Sequence, residues 1–143
     1  AQLKEKRIQV SRQKKDSRFG VLATKSDNGE IALIGYNYNE TDRGVENKEK
    51  VILQFTGLEP NSTYHVEQTK LDQNNNNTYS AWEKAGSPGL LSKAEIAKIK
   101  GVASLDSRRK ENFVTDNEGN AKVEIDMATH TMQLLDIKKS PSL

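Results

Sequence analysis

The sequence predicts a mainly β protein: an antiparallel two-sheet β-sandwich of Greek-key type with roughly eight or nine strands, interrupted by a helix-loop-helix around residues 77–100. Three observations carry that prediction. Short segments alternate apolar and polar residues at the period of a half-buried strand, most clearly Val123, Ile125 and Met127 against Lys122, Glu124 and Asp126. Turn-forming clusters separate such segments, among them Asp27-Asn28-Gly29 and Asn117-Glu118-Gly119-Asn120. The run from Leu58 to Tyr64 has the spacing of a tyrosine corner, in which a tyrosine hydroxyl bonds back to the backbone a few residues upstream in a Greek-key sandwich. So many strands exceed a lone sheet, and two sheets packed face to face satisfy the pattern.

Leu3, Ile8 and Val10 alternate imperfectly with charge, so the first strand, within residues 1–10, is expected to be frayed. Phe19 to Lys25 and Ile31 to Tyr38 read as a hairpin, because Asn28 and Gly29 tolerate the positive φ a tight turn demands. Val51, Leu53 and Phe55 form the apolar face of a strand ending at Gly57, and Tyr64, Val66 and Leu71 carry the next one to an asparagine-rich loop.

The insert follows from capping chemistry. Asn77 or Thr78 is placed to accept hydrogen bonds from the first unpaired N–H groups of a helix, along which Tyr79, Trp82 and Ala85 recur on one face. Gly86 ends that helix by adopting the left-handed conformation without a Cβ penalty, and Pro88 prevents its continuation. Ser92 with Glu95 makes a capping box for a second helix, with Leu91 and Ile96 placed as its hydrophobic staple and Gly101 as its stop. Further strands are expected at Val102 to Leu105, Phe113 to Thr115, Ala121 to Met127 and Met132 to Ile137, before a flexible tail at 139–143. No linker divides the chain, so residues 1–143 read as one domain.

Asp72, Asn77, Tyr79, Trp82, Gly86, Ser87 and Pro88 together resemble a segment of the C-terminal β-sandwich of glycoside hydrolase family 39, the β-xylosidases and α-L-iduronidases. The similarity extends outward through the Phe19 to Tyr38 hairpin, Gly57-Leu58, Tyr64-His65-Val66 and Met132 to Ile137, and covers roughly residues 19–138. It departs at Leu91-Ser92, where such sequences often carry Pro-Thr. The resemblance implies a non-catalytic accessory domain that packs on and supports a catalytic (β/α)₈ barrel belonging to the parent chain. That barrel carries the carboxylate pair of a retaining glycosidase and needs about 250 residues of alternating strand and helix. Neither that length nor that alternation is present here.

Composition narrows the alternatives. At 143 residues with 34% hydrophobic content, the chain can bury a modest core. It has no cysteine, which excludes disulfides, thiolate catalysis and cysteine-ligated zinc. No leader or membrane-length apolar segment is recognised, so a soluble protein is expected, with its compartment undetermined. A net charge of +2 gives no reason to expect nucleic-acid or membrane partners. The basic stretch Lys4, Lys6, Arg7, Arg12, Lys14, Lys15 and Arg18, opposed by Glu5 and Asp16, lacks the interleaved aromatics of a single-strand binder and reads as a protected sheet edge.

His65 and His130 lack a carboxylate cluster at ligand spacing, so neither metal nor cofactor is expected. The pairs Asp72 with Glu83 and Glu95 with Asp106 read as capping or solvent-facing groups rather than as catalytic ones. The triplets Asn39-Glu40-Thr41, Asn61-Ser62-Thr63 and Asn76-Asn77-Thr78 are glycosylation acceptors by pattern alone. Tyr79 and Trp82 are expected to pin the insert to a sheet, the alternative being contact with a sugar or a neighbouring barrel. The second functional reading is a free-standing carbohydrate-binding or fibronectin-like module.

Overall fold

The computed structural model describes residues 3–13, 18–40, 49–105 and 108–141. Among the sequence expectations, Lys14, Lys15, Asp16, Thr41 and Asp106 lie outside these. Within them the chain forms β1 (Lys6–Ile8), β2 (Phe19–Lys25), β3 (Ile31–Asn37), β4 (Glu49–Phe55), β5 (Thr63–Leu71), α1 (Thr78–Lys84), α2 (Lys93–Val102), β6 (Arg108–Val114), β7 (Ala121–Met127) and β8 (Thr131–Lys139). A six-stranded antiparallel sheet runs β1-β2-β3-β8-β5-β6, and a two-stranded antiparallel sheet β4-β7 packs over it.

The local rules hold where backbone geometry is demanding. In the β2–β3 hairpin, Gly29 sits at φ +88° while Gly29 N–H donates to the Ser26 carbonyl at 3.1 Å. The tyrosine corner is present, with the Tyr64 hydroxyl accepting from Glu59 N–H at 3.1 Å. Beside it, buried Thr115 accepts from Ser62 N–H at 2.9 Å and donates to the Glu59 carbonyl at 2.6 Å. Gly119, at φ +79°, lets the β6–β7 turn approach the Leu58 carbonyl so closely that a Cβ would stand 2.1 Å from the oxygen.

The two sheets meet through Ala23, Ile31, Leu33, Leu53, Tyr64, Val66, Ile125, Met127, Leu135 and Ile137. Leu135 is only 1% exposed. Phe113 stacks between Phe55 and Tyr64 at ring separations of 5.6 and 5.3 Å, which closes the end of the core near the tyrosine corner. Two buried amides tie β7 to the large sheet: Asn37 Nδ2 donates to the Met127 carbonyl at 3.0 Å, and Gln133 Nε2 donates to that of Asp126.

Two expectations are corrected. Residues 102–105 are not a strand: Val102 ends α2, Ala103 caps it, and Leu105 adopts φ +56°. Val102 joins a helix already nucleated by its capping box, and local hydrogen bonding outweighs the strand preference of a β-branched residue. The tail is also shorter than expected, because Lys138 and Lys139 pair with His65 and Tyr64 in β8, and Ser140 N–H donates to the Thr63 carbonyl at 2.8 Å. The turn at 117–120 forms where the sequence places it. It passes the chain from the edge of the large sheet to the small one, which costs β6 and β7 any mutual pairing.

Candidate functional site

The helix-loop-helix leaves the large sheet at Leu71 and rejoins it at Arg108, so it projects from the end of the molecule where β3 finishes and β8 begins. Asp72 organises its base. The buried Oδ1 accepts from Asn74 N–H, Asn75 N–H and Asn75 Nδ2, each at 2.8 Å, while Lys70 Nζ lies 2.9 Å from Oδ2. Burial works to raise the Asp72 pKa, but the hydrogen bonds from Lys70, Asn75 and Asn74 outweigh it, and the carboxyl is held below the ordinary aspartate value. Asn76, at φ +54°, closes the loop by donating Nδ2 to the Lys70 carbonyl at 2.7 Å.

Asn77 then caps α1, accepting from Tyr79 and Ser80 N–H at 3.0 and 3.2 Å. Gly86, at φ +89°, ends it: Gly86 N–H donates to Glu83 at 2.9 Å and Ser87 N–H to Trp82 at 3.1 Å, the paired bonds of a Schellman motif. Trp82 Nε1 donates to the Pro88 carbonyl at 3.2 Å, folding the Gly86-Ser87-Pro88 turn back onto the helix. The Ser92–Glu95 capping box is complete, and its two bonds from Ser92 hold the Glu95 carboxyl below its usual range.

The insert is tied to β5 at its base by the Asp72 and Asn76 bonds to Lys70, and neither helix contributes a residue to the sandwich core. The Tyr79 and Trp82 rings meet each other at 5.7 Å, yet Tyr79 is 61% exposed and neither joins the core of the sandwich. Glu83 hydrogen-bonds the Tyr79 phenol and raises its pKa. The only buried residue of α1 is Ser80, and α2 has none. The expected pinning of the insert by its aromatic face is therefore absent, and Leu90 at the loop tip is 95% exposed.

The other candidate residues within the described ones are engaged locally. Asp72 is committed to its loop, and Glu83 is exposed on α1. His65 Nδ1 pairs with Asn112 at 2.8 Å and His130 packs edge-on to Tyr38 at 5.5 Å. Among the described residues no cluster of His, Cys, Asp or Glu is placed to hold a metal ion, and no helix is long and apolar enough to cross a membrane. A polar cleft of about 400 Å³ lies along the free edge of β7, lined by Gln68, Lys70, Arg109 and Glu111 among others, and opens directly to solvent.

Sequence reasoning missed one surface. On the outer face of the large sheet, Tyr36, Met132 and Leu71 stand in one cross-strand row and Leu22, Ile34 and Leu134 in the next. The signal was available: Ile31 to Tyr36 is a continuous apolar run, the pattern of a strand covered on both faces.

The fold and its insert define a mainly β two-sheet sandwich carrying a helix-loop-helix projection. No family profile and no curated protein matches the chain by sequence. Its fold is found as one part of solved glycoside hydrolases of family 39. A family 39 enzyme from Xanthomonas axonopodis pv. citri superposes with a TM-score of 0.68 at 14% identity, over 84% of this chain and 26% of its own. A monomeric β-xylosidase from Caulobacter crescentus CB15 gives 0.63 at 18% identity, over 82% of this chain and 26% of its own. A bacterial orthologue of human α-L-iduronidase gives 0.65 at 14%, over 87% and 22%. The chain thus spans about a quarter of the length of these structures.

Proposed function

We propose that this chain is the non-catalytic accessory β-sandwich of a glycoside hydrolase similar to the family 39 β-xylosidases and iduronidases. It packs on and supports a catalytic (β/α)₈ barrel carried elsewhere in the parent protein. The observation that carries this reading is the lopsided superposition: more than four-fifths of this chain corresponds to about a quarter of each enzyme. The projecting insert, with Tyr79, Trp82 and Leu90 at its surface, borders that barrel or a neighbouring subunit.

The direct test is the reading frame around the coding sequence. A barrel with two glutamates at strand ends upheld there supports the proposal, and a frame without one ends it. Purified 143-residue chain that cleaves aryl xylosides unaided also ends it. In the full-length enzyme, deletion of residues 74–101 is expected to change substrate affinity or assembly; unchanged kinetics and oligomeric state remove the role given to the insert. Exposed Tyr79 beside half-buried Trp82 favours a second reading, a carbohydrate-binding module. A saturable NMR shift patch on titration with xylo-oligosaccharides would favour that module.

A further inference from the structure

We infer that the sandwich holds one internal water molecule between Asn37 at the end of β3 and Thr131 at the start of β8, bridging two side-chain oxygens that the protein itself does not pair. The site is separate from the surfaces invoked in the proposed function. Asn37 and Thr131 stand opposite each other in the β3–β8 register, and each is only 2% exposed. Residues paired on one face of antiparallel strands bring their Cβ atoms within about 4.5–5.5 Å, so one small molecule can touch both side chains. Among the described residues, neither Asn37 Oδ1 nor Thr131 Oγ1 has a hydrogen-bond partner in the protein, although both atoms are buried. A buried oxygen left unpaired destabilises a fold, which is why such groups are matched by protein or by ordered water.

Asn37 cannot satisfy its oxygen by turning its amide over. Nδ2 donates to the Met127 carbonyl at 3.0 Å, and a flip would set Oδ1 against that carbonyl, acceptor against acceptor. Thr131 carries a hydroxyl that can donate as well as accept. A water between them donates to Asn37 Oδ1 and accepts from the Thr131 hydroxyl, and the Met127 carbonyl, which keeps a second lone pair, is the acceptor available for its other hydrogen. Three bonds are the usual number for a buried water. No charge is present among these groups, which suits water over a metal cation. Gly35 leaves room beside them: it is buried two residues before Asn37 on β3, and a Cβ there would meet nothing nearer than Met127 Cε at 3.7 Å and Leu33 Cδ2 at 3.9 Å. The bridge links β3, β7 and β8 where the β7–β8 turn, with His130 at φ +60°, leaves the core.

Thr131→Val tests the site, because valine keeps the side chain's shape and removes its oxygen. Long-lived internal waters of the 143-residue chain are counted by oxygen-17 magnetic relaxation dispersion, and the folding equilibrium is followed by denaturant unfolding. Thr131→Val is expected to lose one long-lived water and to lower the folding equilibrium constant about fivefold. An unchanged water count overturns the inference. A lowered constant then marks a direct Thr131–Asn37 hydrogen bond, and an unchanged or raised one marks a hydroxyl with no partner to lose. If Thr131→Val does not fold, a crystal structure of the parent chain decides. Density for a water within about 3.2 Å of both Asn37 Oδ1 and Thr131 Oγ1 supports the site, and no such density overturns it.

Discussion

The sandwich and its helical insert are held together by different physics. The sandwich is stabilised by burial: Met127, Leu135 and Ile137 are each about 1% exposed, and facing side chains from both sheets fill the space between them. The insert is stabilised by local hydrogen bonds, from the Asp72 loop through the Asn77 cap and the Schellman turn to the Ser92–Glu95 box, with Ser80 as its single buried helical residue. Helices this short are marginal in water without tertiary packing. Caps can define where the insert's helices begin and end, but a partner surface is what would hold them rigid.

The largest effect that separates the two regions is expected in the core. Leu135→Ala should cost about 2–5 kcal/mol in denaturant unfolding, because a cavity opens where both sheets meet. A loss below about 1 kcal/mol would mean that the sheets are not packed as described. Next comes Gly119→Ala, which combines strain at φ +79° with a Cβ clash against the Leu58 carbonyl and should cost about 1–3 kcal/mol by the same measurement.

Asp72→Asn probes the junction. A carboxyl whose folded pKa is depressed contributes stability that is fully present above its unfolded pKa, about 3.9, and is lost as pH falls through the folded value. The variant should therefore be less stable than the parent at pH 7 by about 1–2 kcal/mol, with the gap closing below about pH 4. A gap independent of pH between 2 and 7 would show that the Lys70 and asparagine bonds do not set the carboxyl's titration. Smallest is Trp82→Ala, expected to change the global unfolding free energy by about 1 kcal/mol or less despite removing the largest side chain of the insert. A loss of 3 kcal/mol or more, the scale of a buried tryptophan, would place Trp82 in the core after all.

Much of the fold was legible because its signals are local. The alternation from Ala121 to Met127, the Asn28-Gly29 turn, the Tyr64 corner and the Ser92–Glu95 box each depend on a few neighbouring residues, and each appears where the sequence predicted it. What was not legible depends on distant parts of the chain. Whether Tyr79 and Trp82 meet a sheet is decided by where the insert points. The spacing of an apolar face cannot distinguish a helix packed in its own domain from one awaiting a partner. The Val102 to Leu105 segment failed for a related reason, since a short apolar run fits either a strand or the last turn of a capped helix. The two-sided apolar character of β3 was readable in Ile31 to Tyr36, but its meaning emerged only when the register set Ile34 beside Leu134 and Tyr36 beside Met132.

Native-state hydrogen exchange on the 143-residue chain tests most directly the central claim that burial holds the sandwich while local hydrogen bonds hold the insert. Amides of β3, β5 and β8 are expected to exchange only through global unfolding, and those of α1 and α2 through local opening several kcal/mol cheaper. Equal protection across both regions would contradict the account.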